Sequence, residues 1–247
     1  MKKLKYILTG TGRCGTVYYA RLLDSLGVRC SHEGVFAPDN LDGVLDRLNG
    51  RTAIITSSRS REYDAYWSTD DIVAESSYMA APFLNRPEFK DTKVIHLLRH
   101  PIKVISSYFY DLQYYKYPRG TPHAYMDYVY QFIPELEDDT LDNILRITRF
   151  YLEWNKMIVK NCKDKIEKGD YLLHKVEEGC EPVLKWLGLK PTSNMFQDEK
   201  ANTMKHRIDL FSISHFQPHP LRDELVAFAD KHGYDLTPKQ YVPKLFL

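Results

Sequence analysis

The chain has 247 residues, of which 43% are hydrophobic and 27% are charged. This length permits one large α/β domain or two small ones, and the composition is that of an ordinary globular protein. The formal net charge of +1 gives no bulk electrostatic attraction to nucleic acid or to a membrane surface, so neither is expected as a partner. Any anion site must therefore be local.

Cysteine usage and the N-terminus bear on metal binding and on location. The four cysteines, Cys14, Cys30, Cys162 and Cys180, form no C-x-x-C pair and no zinc-ligand spacing with histidine. We therefore expect reduced thiols and no metal site. The apolar run after the basic N-terminus is too short for a signal peptide, and no stretch approaches the roughly 20 apolar residues that a membrane-spanning helix needs. The sequence predicts a cytoplasmic protein without a membrane span.

In chain order, predicted strands alternate with predicted helices. Apolar runs predict strands at 4–9, 28–33, 52–57, 72–76, 93–99 and 171–175. Helical spacing of apolar residues predicts helices from the first glycines to Gly27, from Pro101 to about residue 115, and at 139–161, 181–188 and 221–233. This alternation favours an α/β fold with a mostly parallel central sheet flanked by helices. Because the chain shows no repeat, no low-complexity tract and no clear linker, a single domain spanning 1–247 is the simpler prediction.

A glycine-rich loop joins the first predicted strand to the first predicted helix. The segment ILTGTGRCGT places Gly10, Gly12 and Gly15 at the spacing G-x-G-x-x-G. Glycines in such a turn let backbone N–H groups approach a ligand, and the helix N-terminus adds positive potential. The loop is therefore a candidate site for a ligand with phosphate-like oxygens.

Two common nucleotide loops fit this segment incompletely. A nucleoside-triphosphate loop would need a lysine between Gly15 and Thr16, and the sequence has none there. A dinucleotide loop fits the glycine spacing, and Glu33 near the end of the second predicted strand could bind a ribose. Against it, Arg13 places a fixed charge inside the turn. An NAD- or FAD-linked oxidoreductase stays open as an alternative.

The segment GTGRCGTVYYARLL resembles the 5′-phosphosulfate loop of the sulfotransferases that use 3′-phosphoadenosine 5′-phosphosulfate (PAPS). In that family a glycine-rich turn with Arg or Lys is followed by Ser-Gly-Thr at the start of a helix, and here Cys14 stands where the family usually has Ser. Because most of such a cradle is backbone, this departure weakens the resemblance little. The resemblance implies that the loop residues bind the donor: Gly12, Arg13, Cys14, Gly15, Thr16 and Val17.

A second segment, LLRHPIKVISSYFY, is similar to the 3′-phosphate site of the same family. It supplies Arg99, Pro101 and Ser107 in the order and spacing of the family pattern. Arg99 leaves the carboxyl end of a predicted central strand, where open α/β sheets bind ligands, and a guanidinium can hold a phosphate through two hydrogen bonds. PAPS needs two anion sites in one crevice, whereas a nicotinamide enzyme has no use for the second.

The resemblance extends loosely over most of the chain. The segments RFYLEWNKMI, YLLHKVEE and NTMKHR look like segments of the bacterial and Golgi-type branch, which includes the tyrosylprotein and carbohydrate sulfotransferases. It implies a P-loop-NTPase-like sulfotransferase fold and sulfuryl transfer from PAPS to a hydroxyl group, with 3′-phosphoadenosine 5′-phosphate (PAP) released and no metal. It also implies that Lys205 or Arg207, in the basic loop with Asn202 and His206, contacts the nucleotide.

The acceptor hydroxyl needs a general base within hydrogen-bond reach. The segment VRCSHEGVF offers His32 and Glu33, and the resemblance places Glu33 at the base position of the tyrosylprotein and several bacterial enzymes, with His32 as the second choice. Arg13 is the candidate for stabilising the leaving phosphate. We expect His96, inside a strand, to be buried and hydrogen-bonded, and Trp154 and Asn155 to pack in the core.

The sequence does not identify the acceptor. Residues 108–132 are rich in tyrosine, and core packing explains most of these side chains, although some could line an acceptor site. We expect a hydroxyl-bearing small molecule or carbohydrate, and the oligomeric state stays open. A non-catalytic nucleotide-binding protein with the same fold also stays open, because fold does not guarantee activity.

Overall fold

A parallel sheet of five strands forms the centre of the protein. The structure is a computed structural model that describes residues 3–52, 54–55, 66–67, 72–111, 124–138, 140–193, 195–196 and 212–237. The strand order is β2-β5-β1-β6-β7, and every neighbouring pair is parallel. The central strands are β1 (Tyr6–Thr9), β2 (Cys30–His32), β5 (Ala74–Ser76), β6 (Lys93–Leu98) and β7 (Tyr171–Lys175). Two short strands, β3 (Ile54–Ile55) and β4 (Tyr66–Trp67), form a separate antiparallel pair.

Helices connect the strands of the sheet. The α-helices of the described residues are α1 (Thr16–Ser25), α2 (Leu41–Leu48), α3 (Pro101–Asp111), α4 (Ala124–Phe132), α5 (Asn143–Asn161), α6 (Lys163–Lys168), α7 (Glu181–Leu187) and α8 (Pro220–Lys231). Shorter 3₁₀ helices include Tyr78–Phe83 after β5 and Pro134–Glu137 before α5. Asp142 caps α5 by accepting a hydrogen bond from the Leu145 N–H at 2.8 Å, which fixes where this long helix begins.

Both faces of the sheet are apolar, and each face is covered by its own helices. Side chains alternate along β1, so that Ile7 joins the cluster under α3, α5 and α8, while Leu8 joins the cluster under α1 and α7. The same alternation along β6 sends Val94 to the first cluster and Ile95 to the second. A strand buried on both faces reads as a continuous apolar run, as KVIHLL does.

The order of the strands creates a crevice between β1 and β6. The connection from β1 leads through α1 to β2 at one edge of the sheet, and the connection from β6 leads through α3 and α5 to β7 at the other edge. The chain therefore leaves the carboxyl ends of these two neighbouring strands in opposite directions. Ligands of open α/β sheets bind at such a switch point, so both predicted anion segments follow the right strands.

The predicted strand at 52–57 does not join the central sheet. Of this segment the structure describes residues 52, 54 and 55, and the strand Ile54–Ile55 pairs with the antiparallel Tyr66–Trp67. An apolar run predicts extended backbone but does not specify which segment it pairs with. No helix among the described residues is long and apolar enough to cross a membrane.

Candidate active site

The glycine-rich loop turns through left-handed backbone at the crevice. Gly12, Arg13 and Gly15 have φ values of 69°, 54° and 90°. A side chain on Gly12 would collide with the hydroxyl of Tyr108, so this position requires glycine for space as well as for conformation. Gly15 is the N-cap residue of α1 and has no side chain to occupy the first N–H groups of the helix. These N–H groups can serve an anion.

Two distant parts of the sequence meet at Arg13. The Arg13 Nε donates to the Ser107 Oγ at 3.0 Å, and the Arg99 guanidinium donates to the Arg13 carbonyl oxygen at 2.6 Å. The residues predicted to hold a 5′-phosphosulfate and those predicted to hold a 3′-phosphate therefore line one crevice, at the carboxyl ends of β1 and β6. Two guanidinium groups at one crevice make a strongly anion-attracting site.

Two buried tyrosines hold this arrangement in place from the core of the protein. The Tyr108 hydroxyl donates to the Thr11 carbonyl oxygen at 2.5 Å, and the Tyr151 hydroxyl donates to the Arg99 carbonyl oxygen at 2.8 Å. Both rings are buried in the core. Their spacing is that of ordinary core residues, so no local signal in the sequence distinguishes their role.

The Cys14 side chain packs against the inside of the loop. It is fully buried in the cluster under α1 and α7, and backbone N–H groups of Thr11, Gly12 and Cys14 lie close to its sulfur. Burial raises the pKa of the Cys14 thiol to about 12, although Arg99 acts in the opposite direction. The thiol is therefore neutral near pH 7.

The predicted general base lies beside the same loop. The His32 Nε2 lies 3.1 Å from the Thr16 Oγ1 and 4.0 Å from the Glu33 Oε1. These contacts join the end of β2 to the first turn of α1, where Val17 is also buried. The side chains of His32 and Glu33 are 12% and 16% exposed, so both are largely covered without being fully buried.

The backbone itself marks two of the predicted catalytic residues. Among the residues that the structure describes, Arg13 and Glu33 are the non-glycine residues with positive φ, at 54° and 52°. Left-handed backbone is unfavourable for residues with side chains and concentrates at functional sites. The Glu33 N–H donates to the Ser76 carbonyl oxygen at 3.4 Å, and the Ser76 Oγ donates to the Thr16 carbonyl oxygen at 2.8 Å. The end of β5 thus bridges the Glu33 turn and the glycine-rich loop.

Glu75 on β5 supports the Glu33 turn from inside. It is fully buried, and its Oε1 accepts hydrogen bonds from the N–H groups of Gly34 and Val35 at 3.0 and 3.3 Å. Burial raises the pKa of the Glu75 carboxyl to about 7, although its hydrogen bonds lower it. Glu75 is not among the predicted site residues, but an acid inside the apolar strand IVAES was a usable signal, since a buried acid must have partners.

The three residues predicted to be structural are in the core. His96, Trp154 and Asn155 are at most 2% exposed. The His96 Nε2 lies 2.8 Å from the Asn155 Oδ1 and its Nδ1 lies 2.7 Å from the Tyr171 hydroxyl. The Asn155 amide nitrogen donates to the Tyr151 carbonyl oxygen, so the Asn155 Oδ1 faces His96. The His96 Nε2 therefore carries the proton and donates to this oxygen, and the His96 Nδ1 accepts from the Tyr171 hydroxyl. Burial lowers the pKa of His96 to about 4, which keeps the ring neutral.

Part of the predicted site lies outside the described residues. This applies to Asn202, Lys205, His206 and Arg207 of the basic loop and to residues 112–123 of the tyrosine-rich segment. Their roles stay predictions. In the described part of the chain, no three His, Cys, Asp or Glu side chains are grouped as a metal site would require.

The fold is similar to that of solved sulfotransferase domains. The chain covers 99% of the sulfotransferase domain from the curacin biosynthetic pathway with 96% of its own length, at 12% identity and a TM-score of 0.54. The sulfotransferase domain from the Synechococcus PCC 7002 olefin synthase is covered over 96% of its length by 95% of this chain, at 13% identity and a TM-score of 0.49. No family model and no curated protein matches the chain. The first of these likenesses confirms the predicted fold class: the chain has the α/β fold of a sulfotransferase domain.

Proposed function

We propose that the protein is an O-sulfotransferase that uses PAPS as the donor. The observation that carries the proposal is the meeting of Arg13, Arg99 and Ser107 at the crevice between β1 and β6. A donor with a 5′-phosphosulfate and a 3′-phosphate needs two anion sites in one crevice. The fold likeness to a solved sulfotransferase domain agrees with it.

The donor site in this proposal has two halves. Backbone N–H groups from Gly12 to Val17 and the Thr16 hydroxyl hold the phosphosulfate, while Arg99 and Ser107 hold the 3′-phosphate. Backbone amides and guanidinium groups supply the hydrogen-bond donors, so a metal ion is not needed to neutralise the charge. Lys205 and Arg207 are proposed to add contacts to the nucleotide.

The proposed reaction is an in-line displacement at sulfur. As the bond between the acceptor oxygen and sulfur forms, the bond between sulfur and the 5′-phosphate oxygen breaks, and PAP leaves. Glu33 accepts the proton of the acceptor hydroxyl, and Arg13 stabilises the negative charge that develops on the leaving phosphate oxygen. The protein otherwise contributes by holding the reacting groups in line.

Glu33 is preferred to His32 as the base because of what each side chain contacts. The His32 Nε2 is within hydrogen-bond distance of the Thr16 hydroxyl, which places the imidazole against the donor half of the site. Glu33 lies one residue further from the sheet, and its side chain is the slightly more exposed of the two, at 16% against 12%. His32 then serves to orient the Thr16 hydroxyl toward the donor.

The proposed acceptor is a hydroxyl-bearing small molecule or carbohydrate, acted on in the cytoplasm. The ring of Tyr78 is partly exposed and lies beside Gly12, with Cδ1 3.5 Å from the position of a Cβ on that glycine. It also contacts Trp154, at 6.0 Å between ring centroids. An aromatic face next to the transferred group suits a sugar ring or an aromatic alcohol.

Binding of the product nucleotide tests the donor assignment first. Thermal unfolding is measured with PAP, NAD, ATP and 5′-AMP; a ligand at about 100 times its Kd stabilises by about 2.7 kcal/mol, a shift of roughly 5–11 °C for a protein of this size. We expect the largest shift with PAP.

Arg99→Met should weaken PAP binding about 10- to 100-fold, since it removes a charge-assisted contact. Arg51→Met is the matched control, because Arg51 is exposed and pairs with Asp46 at 3.1 Å.

Two other results would identify the alternatives. A shift with NAD and none with PAP would make Glu33 a ribose ligand and the protein an oxidoreductase. A shift with PAP combined with no transfer to any acceptor, water included, would indicate a nucleotide-binding protein without catalysis.

A further inference from the structure

Glu75 is a buried acid whose partners are all uncharged. Among the residues that the structure describes, it is the one carboxyl group in the buried set, with no exposed surface. Burying a carboxylate without a cation costs several kcal/mol unless hydrogen bonds replace the lost water. Such a group is expected where its hydrogen bonds hold a segment of backbone that regular secondary structure does not hold.

The partners of Glu75 are three successive backbone amides and one hydroxyl. Its Oε1 accepts from the N–H groups of Gly34, Val35 and Phe36 at 3.0, 3.3 and 3.5 Å. Its Oε2 accepts a short hydrogen bond from the Ser31 Oγ. Successive N–H groups that converge on one point form an anion-binding concavity. Here the protein fills that concavity with its own carboxylate.

The carbonyl groups of the same turn are held from the other side. The Arg47 Nε of α2 donates to the Val35 carbonyl oxygen at 2.7 Å. The Ser77 Oγ donates to the Phe36 carbonyl oxygen at 3.2 Å. The turn lies outside regular secondary structure, so its polar groups depend on these side chains for partners.

This turn begins immediately after Glu33. The left-handed φ of 52° at Glu33 reverses the chain at the end of β2 and directs the following three N–H groups at Glu75. An unfavourable φ persists only when the surrounding structure determines it. The hydrogen bonds to Glu75 therefore set the backbone from which the Glu33 side chain projects beside the glycine-rich loop.

We propose that Glu75 is a positioning residue for Glu33: by holding the N–H groups of residues 34–36, it keeps the Glu33 carboxylate beside the glycine-rich loop. This inference rests on the proposed function, since it assigns Glu75 a part in the proton transfer by Glu33. Glu75 itself does not touch the reacting groups.

A cycle of variants separates positioning from general stability. Wild type, Glu75→Gln, Glu33→Gln and the double variant are compared in release of labelled sulfate from PAPS, with water as the acceptor. Water loses its proton to Glu33 as its oxygen binds sulfur, so no identified acceptor is needed. At pH 8, where Glu75 is ionised, Glu75→Gln replaces charge-assisted hydrogen bonds to residues 34–36 by weaker neutral ones. We expect the looser turn to lower the rate about 10-fold in the wild-type background, as a misplaced catalytic group does. In the Glu33→Gln background it should lower the rate less than about 3-fold, because residues that act as a unit are non-additive. Equal losses in both backgrounds would overturn the proposal.

Two further variants guard against a folding defect. Ser31→Ala removes one donor to Glu75 and leaves the carboxylate in place, so it should lower the rate in the same direction by about 2- to 5-fold, the worth of one hydrogen bond. Lys165→Met is the matched control away from the site. The Lys165 ammonium is also buried and holds the backbone oxygens of Phe89 and Thr92, at 2.5 and 2.8 Å. It should lower stability and leave the rate unchanged; a loss of rate equal to that of Glu75→Gln would count against positioning.

The rate of amide hydrogen exchange tests the role of Glu75 independently of the proposed function. Amides of residues 34–36 should exchange faster in Glu75→Gln than in wild type, while PAP binding stays within about 3-fold of the wild-type value. Unchanged exchange at 34–36 would overturn the proposal whatever the protein catalyses. A wild-type protein that neither binds PAP nor releases sulfate would instead overturn the proposed function, and with it the part of Glu75 in proton transfer.

Discussion

Glu33 combines an unfavourable backbone with a partly open side chain. A φ of 52° costs a residue of this type about 1–2 kcal/mol, and the turn that follows is held tightly enough to offset that cost. Its side chain is 16% exposed, beside His32 and the start of α1. An acid held in this way beside the start of α1 fits the role of general base that we propose for it.

Replacing the Glu33 carboxylate by an amide tests this assignment. Glu33→Gln should lower the turnover of sulfuryl transfer by about 10²–10⁴-fold, the typical contribution of general-base catalysis. The thermal shift with PAP should be nearly unchanged, because the amide leaves the loop and the two arginines in place. Steady-state kinetics and thermal unfolding measure the two effects on the same preparation.

The control for this change is Glu167→Gln, on the exposed face of α6, which should alter neither quantity. If Glu33→Gln kept its turnover while His32→Asn lost it, the base would be His32. A loss of PAP binding in Glu33→Gln would indicate that Glu33 belongs to the donor half of the site.

At the scale of elements, the loop between β1 and α1 depends on α3 as much as on its own glycines. Tyr108 of α3 donates to the Thr11 carbonyl and occupies the space that a Gly12 side chain would need. Ser107, one residue earlier, accepts from Arg13. The helix that follows Arg99 therefore shapes the loop that follows β1, and the two predicted anion sites depend on each other.

Gly12→Ala tests this dependence. The added methyl group would strain the φ of 69° and collide with the Tyr108 hydroxyl, so we expect PAP binding to weaken more than about 10-fold, the loss that corresponds to 1.4 kcal/mol. Gly27→Ala is a matched control, since Gly27 has a φ of 81° at the end of α1 and nothing within 4 Å of a new Cβ. Both variants should lose about 1–2 kcal/mol of stability through backbone strain, measured by urea unfolding. Equal PAP binding by the two variants would show that the contact with Tyr108 is unimportant.

At the scale of the whole molecule, the sequence predicted what local patterns can encode. The run KVIHLL, buried on both faces, identified the central strand β6, and Arg99 after it identified the crevice. The pairing of strands is not encoded locally. The sequence therefore predicted a strand at 52–57 but not that Ile54–Ile55 pairs with Tyr66–Trp67. The contact of Arg13 with Ser107, 94 positions apart, could be inferred only through the resemblance, and the role of Glu75 only through the folded turn.

The stability of the whole protein should depend on pH through two buried groups with opposite effects. The pKa of Glu75 is raised from 4.5 to about 7, so its contribution to stability is present below pH 4.5 and is lost as the pH rises toward 7. The pKa of His96 is lowered from 6.5 to about 4, so its contribution is present above pH 6.5 and is lost as the pH falls toward 4. Between pH 5 and pH 7 each effect amounts to about 2 kcal/mol, and the two largely cancel.

Glu75→Gln removes the effect of Glu75 alone, so the free energy of unfolding of this variant should rise by about 2 kcal/mol from pH 5 to pH 7 relative to wild type. Urea unfolding of both proteins at the two pH values measures this difference, and parallel pH profiles would show that Glu75 is ionised throughout the range.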